Sequence, residues 1–155
     1  MDNVQFHIVQ ADNDKEIAFI AAWYLEEWGV PPEKTIGKLK NLNSVTNEFH
    51  VLMKIDGVPV ATGGVHHHVS LLDREPRMRQ YTHWLALVYS IPEYRGKGVG
   101  AALCEYIHAY AQTLGLEQIV LFTHTAEPLY KRLGWQVLER FQEGDKDVAV
   151  MQKNL

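Results

Sequence analysis

The chain is 155 residues long, 46% hydrophobic and 22% charged, which is the make-up of an ordinary globular protein of about one domain. Nineteen acidic against fifteen basic residues give a formal charge of -4, which speaks against a nucleic-acid or polybasic membrane binder. Cys104 is the single cysteine, so a disulfide framework is excluded and thiolate metal centres are disfavoured. No apolar run approaches the ~20 residues of a membrane helix. The opening Met1-Asp2-Asn3-Val4-Gln5 lacks the basic and apolar regions of a signal peptide, so a cytoplasmic location is expected.

No repeat, low-complexity tract or linker interrupts the chain, and residues 1–155 are expected to form one domain. Phe6 to Val9 reads as a short strand. Asp12, Asn13 and Asp14 offer cap oxygens, and Asn13 with Glu16 makes a capping-box pattern. Ile17, Ile20, Ala21, Tyr24, Leu25 and Trp28 recur at helical spacing until Gly29 and Pro31-Pro32 stop the helix. A second helix is expected over Glu33 to Leu42. Phe49, Val51, Met53 and Ile55 alternate as a strand, and Asp56-Gly57 marks a two-residue hairpin turn. The return strand runs through Val58, Val60 and Thr62 to Gly63-Gly64, with Pro59 suited to an edge or a bulge. Ser70 to Arg79 reads as a charged surface loop and Tyr81 to Ser90 as an apolar strand. A helix follows from Gly98 to Leu114, capped by Gly115. Ile119 to Phe122 is a short buried strand and Pro128 to Leu133 a short helix before Gly134. Trp135 to Phe141 and Val148 to Met151 flank the turn Glu143-Gly144-Asp145 as a final hairpin. This β-α-α-β-β-β-α-β-α-β-β order predicts one mixed sheet with helices on both faces.

The chemistry concentrates in Pro92-Glu93-Tyr94-Arg95-Gly96-Lys97-Gly98-Val99-Gly100, between a strand and a helix. Its glycines permit positive φ and close backbone approach, and the helix start directs free N–H groups and a positive dipole into the loop. Arg95 and Lys97 add charge, so the segment describes a pyrophosphate cradle. The spacing is Gly-x-Gly-x-Gly, not the Gly-x-Gly-x-x-Gly of a dinucleotide fingerprint, and a P-loop's Gly-Lys-Ser/Thr ending is absent. A helix start that is merely glycine-rich is the plain alternative.

Arg95-Gly96-Lys97-Gly98-Val99-Gly100 matches the Arg/Gln-x-x-Gly-x-Gly/Ala signature of the GCN5-related N-acetyltransferases (GNAT), and Leu129-Tyr130-Lys131-Arg132-Leu133-Gly134-Trp135 is similar to that family's Leu-Tyr-x-x-x-Gly-Phe. The element order resembles the family's as well. The resemblance implies an α+β fold, a mixed and mostly antiparallel sheet with helices on both faces and a V-shaped split between strands 4 and 5. It implies transfer of acetyl from acetyl-CoA to a primary amine of a small molecule or to an exposed protein amine, with no metal. Val88, Tyr89 and Ser90 would pair with the pantetheine arm, and the amides of Arg95, Gly96, Lys97, Gly98, Val99 and Gly100 would hold the pyrophosphate. It is compatible with a homodimer.

The reaction needs a base for the ammonium, a donor to the oxyanion and a proton for the departing thiolate. Tyr130 matches the family tyrosine near the sulfur and is the candidate acid; as a plain alternative it only packs its helix against CoA. A backbone N–H within Val88 to Ser90 is the candidate oxyanion donor. Some relatives carry a glutamate where this chain has Trp84, so the base is sought elsewhere. His83 is turned away from Trp84 by strand alternation, and His124, after Ile119 to Thr123, is the candidate; an ordinary histidine titrates near ~6.5. Otherwise His124 is a loop residue shaping the amine pocket. Glu26 and Glu27 stand where the family often builds its acceptor pocket, though exposed helix-end carboxylates are commonly just solvated. His66-His67-His68 cannot converge on a metal from one strand, and Cys104 reads as a small buried apolar side chain, which favours direct transfer in a ternary complex. The competing function is an acyl-CoA-binding sensor without turnover, motivated by Trp84. A short likeness of Thr123-His124, Tyr130 and Leu133-Gly134-Trp135 to acetyltransferases acting on protein N-termini adds a weaker hint.

Overall fold

The computed structural model describes residues 3–155; Met1 and Asp2 of the N-terminal stretch lie outside the described residues. Strand β1 (Val4–Ile8) leads to helices α1 (Asp14–Trp28) and α2 (Pro32–Lys40). The Asn13 side chain caps α1 by accepting from the Glu16 amide at 3.1 Å. The reciprocal half of the expected capping box does not form. Glu16 turns instead to His7 and Lys54, at 2.8 and 3.2 Å, and ties α1 to β1 and β2. Gly29 closes the helix in the left-handed region, where its amide reaches the Leu25 carbonyl.

Strands β2 (Phe49–Ile55) and β3 (Val58–His66) form the expected hairpin. Asp56 and Gly57 both take positive φ, the geometry that matches strand twist. Register slips between Lys54, opposite Pro59, and Met53, opposite Ala61, so proline does sit at a bulge. The segment expected as an irregular loop is ordered: α3 (Leu71–Arg74) and a 3-10 turn at Pro76–Gln80 bury Leu71, Leu72 and Met78. Its charged residues face solvent and hide this small cluster from a reading of composition. Strand β4 (Trp84–Ser90) begins three residues later than expected, because Tyr81 to His83 lie outside the ladder. Helix α4 (Val99–Thr113), β5 (Gln118–Thr123), α5 (Glu127–Arg132), β6 (Gln136–Glu143) and β7 (Lys146–Asn154) complete the order.

The seven strands lie in the order β1-β2-β3-β4-β5-β7-β6. All neighbours are antiparallel except β4 and β5, which are joined through α4 and meet at a single pair, Trp84 with Val120. On one face α4 and α5 bury Leu103, Cys104, Ile107, Tyr130 and Trp135 against Val51, Met53, Val65, Leu85 and Leu121. On the other, α1 and α2 bury Ile17, Ile20, Tyr24 and Leu39 against Leu52 and Tyr89, and the Leu71–Gln80 segment covers Trp84, Val120 and Val150. The sheet is thus the wall between two cores, and any gap in it opens between them.

Three histidines are carried inside this fold in the neutral state. Burial pushes His50 down to about 3 and His66 well below its ordinary value, with Lys38 adding to both. Burial and then Lys153 bring His108 to about 4, where it accepts from Trp135 Nε1 at 3.1 Å. Between the ordinary histidine range and these lowered values the unfolded chain binds protons that the folded chain does not, so stability falls as pH falls through that window. Each histidine should cost up to about 1.4 kcal/mol per pH unit below ~6.5. Urea unfolding at pH 7 and pH 5 should show the loss, and His108→Gln, whose amide oxygen can still accept from Trp135, should reduce the slope by one histidine's share.

Candidate active site

Beyond Trp84 and Val120, strands β4 and β5 part, so the β4 backbone from Leu85 to Ser90 has no ladder partner on its β5 side. A bulge redirects this edge. Gly64 pairs with Ala86 and Thr62 with Tyr89, so Gly63 opposes two residues, Leu87 and Val88. Leu87 takes φ of 61°, a left-handed conformation uncommon for a leucine. The phase of the strand flips there: Ala86 and Leu87 both lie toward the α1 and α3 side, Val88 toward α4, and Tyr89 toward α1 again. Gly63 permits the close approach, since a Cβ on it would press on Val88 at 3.1 Å. Leu87 lies within the expected Tyr81 to Ser90 strand, and nothing local in the sequence marks it as a bulge.

At the open end of β4, Ile91 and a turn at Pro92–Tyr94 lead into the glycine loop. Gly96 and Gly98 have φ of 76° and 81°, and a Cβ on either would meet nothing within 4 Å, so both face free space. Gly98 is the N-cap of α4 and no side chain caps this helix. The start of α4 therefore presents amides and dipole outward without an internal partner. Lys97 lies over the Tyr94 ring at 5.5 Å. Arg95 does not extend into the loop's free space: its Nε donates to the Ser90 carbonyl at 3.0 Å, its guanidinium lies 5.5 Å from the Tyr89 ring, and Nη2 is 3.4 Å from Glu27 Oε1. It straps the end of β4 to the end of α1. Trp23 and Trp28 pack on the same Tyr89 ring, while Glu26, Glu27 and Trp28 are exposed.

Tyr130 is buried on the α4 side, its ring 5.8 Å from Trp135. Burial and the neighbouring Cys104 push its phenol above the usual tyrosine range, with no side-chain hydrogen bond to offset them. It stays protonated at any ordinary pH. Cys104 is itself fully buried and pushed up to about 12, which makes it inert. His124 is exposed on the opposite side of β5, its ring 6.4 Å from Phe122. It borders a depression of about 490 Å³ with Thr123, Phe141 and the Glu127–Arg140 pair. Two hydrogen bonds from Arg140, at 2.5 and 2.7 Å, and one from Lys131 hold Glu127 at about 2. The structure thus sets Tyr130 and His124 on different faces at the end of one strand.

The remaining candidates disperse. Trp84 is fully buried and donates Nε1–H to the Tyr81 carbonyl at 3.1 Å. His66 ends β3 inside the fold, His67 bonds the Thr46 carbonyl at 2.8 Å and His68 bonds Asp73 at 3.0 Å. His83 reaches the same Thr46 carbonyl at 3.0 Å. No group of three or more metal-ligating side chains converges among the described residues.

The model of the Acetyltransferase (GNAT) family matches residues 8–135. No curated protein matches the chain. Among solved structures, an acetyltransferase of the GNAT family from Streptococcus pneumoniae superposes with a TM-score of 0.75 at 18% identity, over 99% of each chain. The yncA protein from Salmonella typhimurium, solved with its cofactor acetyl-CoA, gives 0.71 at 16% identity, over 99% of this chain and 94% of that one. An aminoglycoside 6'-N-acetyltransferase complexed with coenzyme A gives 0.74 at 12% identity, over 97% and 96%. These identities speak to fold alone. With the family model covering most of the chain, and the parted β4–β5 strands and glycine loop standing as described, the protein belongs to the GNAT family of acetyltransferases.

Proposed function

We propose that the protein is an acetyl-CoA-dependent N-acetyltransferase acting on a primary amine of a small molecule or an exposed protein amine, by direct attack in a ternary complex. The observation that carries this reading is the unpaired inner edge of β4 running into the uncapped, glycine-bounded start of α4. An extended pantetheine arm can pair with Val88 to Ser90 there as an added strand, and a pyrophosphate suits the amides of Gly96, Gly98, Val99 and Gly100. Those of Arg95 and Lys97, expected to join them, donate instead within the loop to the Pro92 and Tyr94 carbonyls at 3.2 and 3.3 Å. Acetyl-CoA would supply the thioester that the amine attacks.

In that reaction the amine nitrogen bonds to the thioester carbon, the C–S bond breaks, and a thiolate leaves. A backbone N–H of the Val88 to Ser90 stretch would donate to the transient oxyanion. Tyr130, kept protonated by burial, would give its proton to the sulfur. His124, exposed beside a depression lined by residues of β5, β6 and β7, would take the ammonium proton directly or through one water. The inert Cys104 supports transfer without an acyl-enzyme. The acceptor side would lie by Glu26 and Glu27, whose negative charge suits a cationic amine.

Release of CoA thiol over a panel of amines tests the activity, and acetyl-CoA binding without any release would assign a binding module instead. Gly98→Leu places a side chain in the loop's open space at a left-handed φ, and should cut acetyl-CoA affinity severely in calorimetry while the fold is kept. Tyr130→Phe should lower turnover by roughly 10²-fold with similar acetyl-CoA affinity, the usual scale for a lost general acid. His124→Ala should cost roughly 10- to 1000-fold and remove the acidic limb of the rate profile. A limb that survives and tracks the pKa of each acceptor would make His124 a pocket residue only.

A further inference from the structure

Three buried polar side chains meet on the α1 face of the sheet, and the mechanism above uses none of them. Tyr24 projects inward from α1, His50 lies on β2 and His66 ends β3; all three are buried. They form a chain. The Tyr24 hydroxyl lies 2.5 Å from the Leu87 carbonyl oxygen and 3.1 Å from His50 Nε2. His50 Nδ1 lies 2.9 Å from His66 Nε2. At the far end, His66 Nδ1 is the one buried side-chain nitrogen or oxygen without a partner among the described residues.

The direction of each bond is determined by the near end. A carbonyl has no proton to offer, so the Tyr24 hydroxyl donates to Leu87. Its oxygen then accepts from His50, which puts that ring's proton on Nε2. His50 Nδ1 is left as an acceptor and takes the Nε2–H of His66. Each ring carries one proton, as it must when burial holds both imidazoles neutral. The nearby Thr62 hydroxyl does not compete, because its proton goes to the Val51 carbonyl at 2.7 Å. The unpaired atom is thereby an acceptor and not a stranded N–H.

The surroundings are shaped for this chain. A Cβ at Gly64 would run into His50 Nδ1 and the Phe49 carbonyl oxygen, so glycine there makes room for the ring. Gly64 pairs with Ala86, the residue just before the bulge. The bulge itself is strained, since Leu87 sits in the left-handed region. A lone hydroxyl could rotate away from the Leu87 carbonyl. With the His50 N–H already on its oxygen, the Tyr24 hydroxyl proton cannot turn toward His50 and stays with the Leu87 carbonyl.

We infer that Tyr24, oriented by His50 and His66, is a positioning residue that pins the Leu87 bulge and so sets the angle at which the backbone of Val88 to Ser90 meets an acyl-CoA ligand. The inference rests on the β4–β5 cleft being the acyl-CoA seat. Calorimetry with two ligands tests it: acetyl-CoA, which spans bulge and loop, and adenosine 3'-phosphate 5'-diphosphate, which carries only the end held by the loop. Wild-type protein should bind both, and failure to bind either would remove the seat and the inference with it. Tyr24→Phe and His50→Leu should each lower acetyl-CoA affinity at least about ten-fold, the scale of one lost hydrogen bond. Their affinity for the nucleotide should stay within about two-fold of wild type, well under the size of one hydrogen bond. His50→Gln offers one N–H and one carbonyl oxygen across a similar span, and should retain acetyl-CoA affinity within about three-fold, its two bonds being kept. If both ligands weaken together, the chain supports only the fold. If acetyl-CoA binds His50→Leu as it binds wild type, the bulge does not need the chain. Either result overturns the inference, and the His50→Leu and His50→Gln pair decides it should Tyr24→Phe fail to fold.

Discussion

Leu87 puts one residue of β4 out of step with β3, and the geometry of the cleft depends on that dislocation. A strand in regular register would continue the alternation begun at Trp84 and Leu85 and keep its carbonyls and amides in a smooth line beside β5. The extra residue flips the alternation, so Val88 turns to the α4 core and Tyr89 to the α1 core. Tyr89 then becomes the ring against which Trp23, Trp28 and the Arg95 guanidinium assemble. Arg95 in turn holds the Ser90 carbonyl and Glu27. A backbone irregularity of one residue thus organises the end of α1, the tip of β4 and the entrance to the glycine loop.

The electrostatics of the two cores serve the same end by keeping charge out. Where the α4 core meets the cleft, Tyr130 and Cys104 are both held protonated by burial. Across the sheet, His50 and His66 are held neutral. The charged side chains of Glu26, Glu27, Arg95, Lys97 and Arg140 are exposed instead. A thioester entering such a gap would meet dipoles and neutral groups first, which in a poorly hydrated site act over short range with little reorganisation.

Much of this was legible in the sequence, and what was legible was local. The Asp56-Gly57 hairpin, the Asn13 cap and the Gly98 start of α4 each follow from residues within one turn of each other. The glycine signature and the tyrosine motif thirty residues on are each short and contiguous, and together they pointed to the family. The Leu87 bulge escaped because its cause is remote: the hydroxyl that meets it is 63 residues away in the chain. His66 drew notice only as one of three consecutive histidines and His50 not at all, since a polar chain buried between strands leaves no periodic trace. The Leu71–Gln80 segment was obscured by Asp73, Arg74, Glu75, Arg77 and Arg79, which outnumber its three buried apolar residues. The role of Arg95 depended on the position of Glu27, which spacing along the chain cannot give.

The parting of β4 and β5 has one more consequence. An open sheet ordinarily has two edges, and each is a place where a foreign strand can attach. This sheet has four. Its outer pair is guarded by sequence: β1 is only five residues long, and β6 is bulged and carries Glu139, Arg140 and Glu143 in ion pairs with Arg77, Glu127 and Arg74. The inner pair is guarded by shape, because the gap narrows to contact at Trp84 and Val120 and leaves no length for a second polypeptide to run through. The backbone inside the wedge can therefore stay unpaired without inviting aggregation, a freedom that no exposed margin of the same length would have.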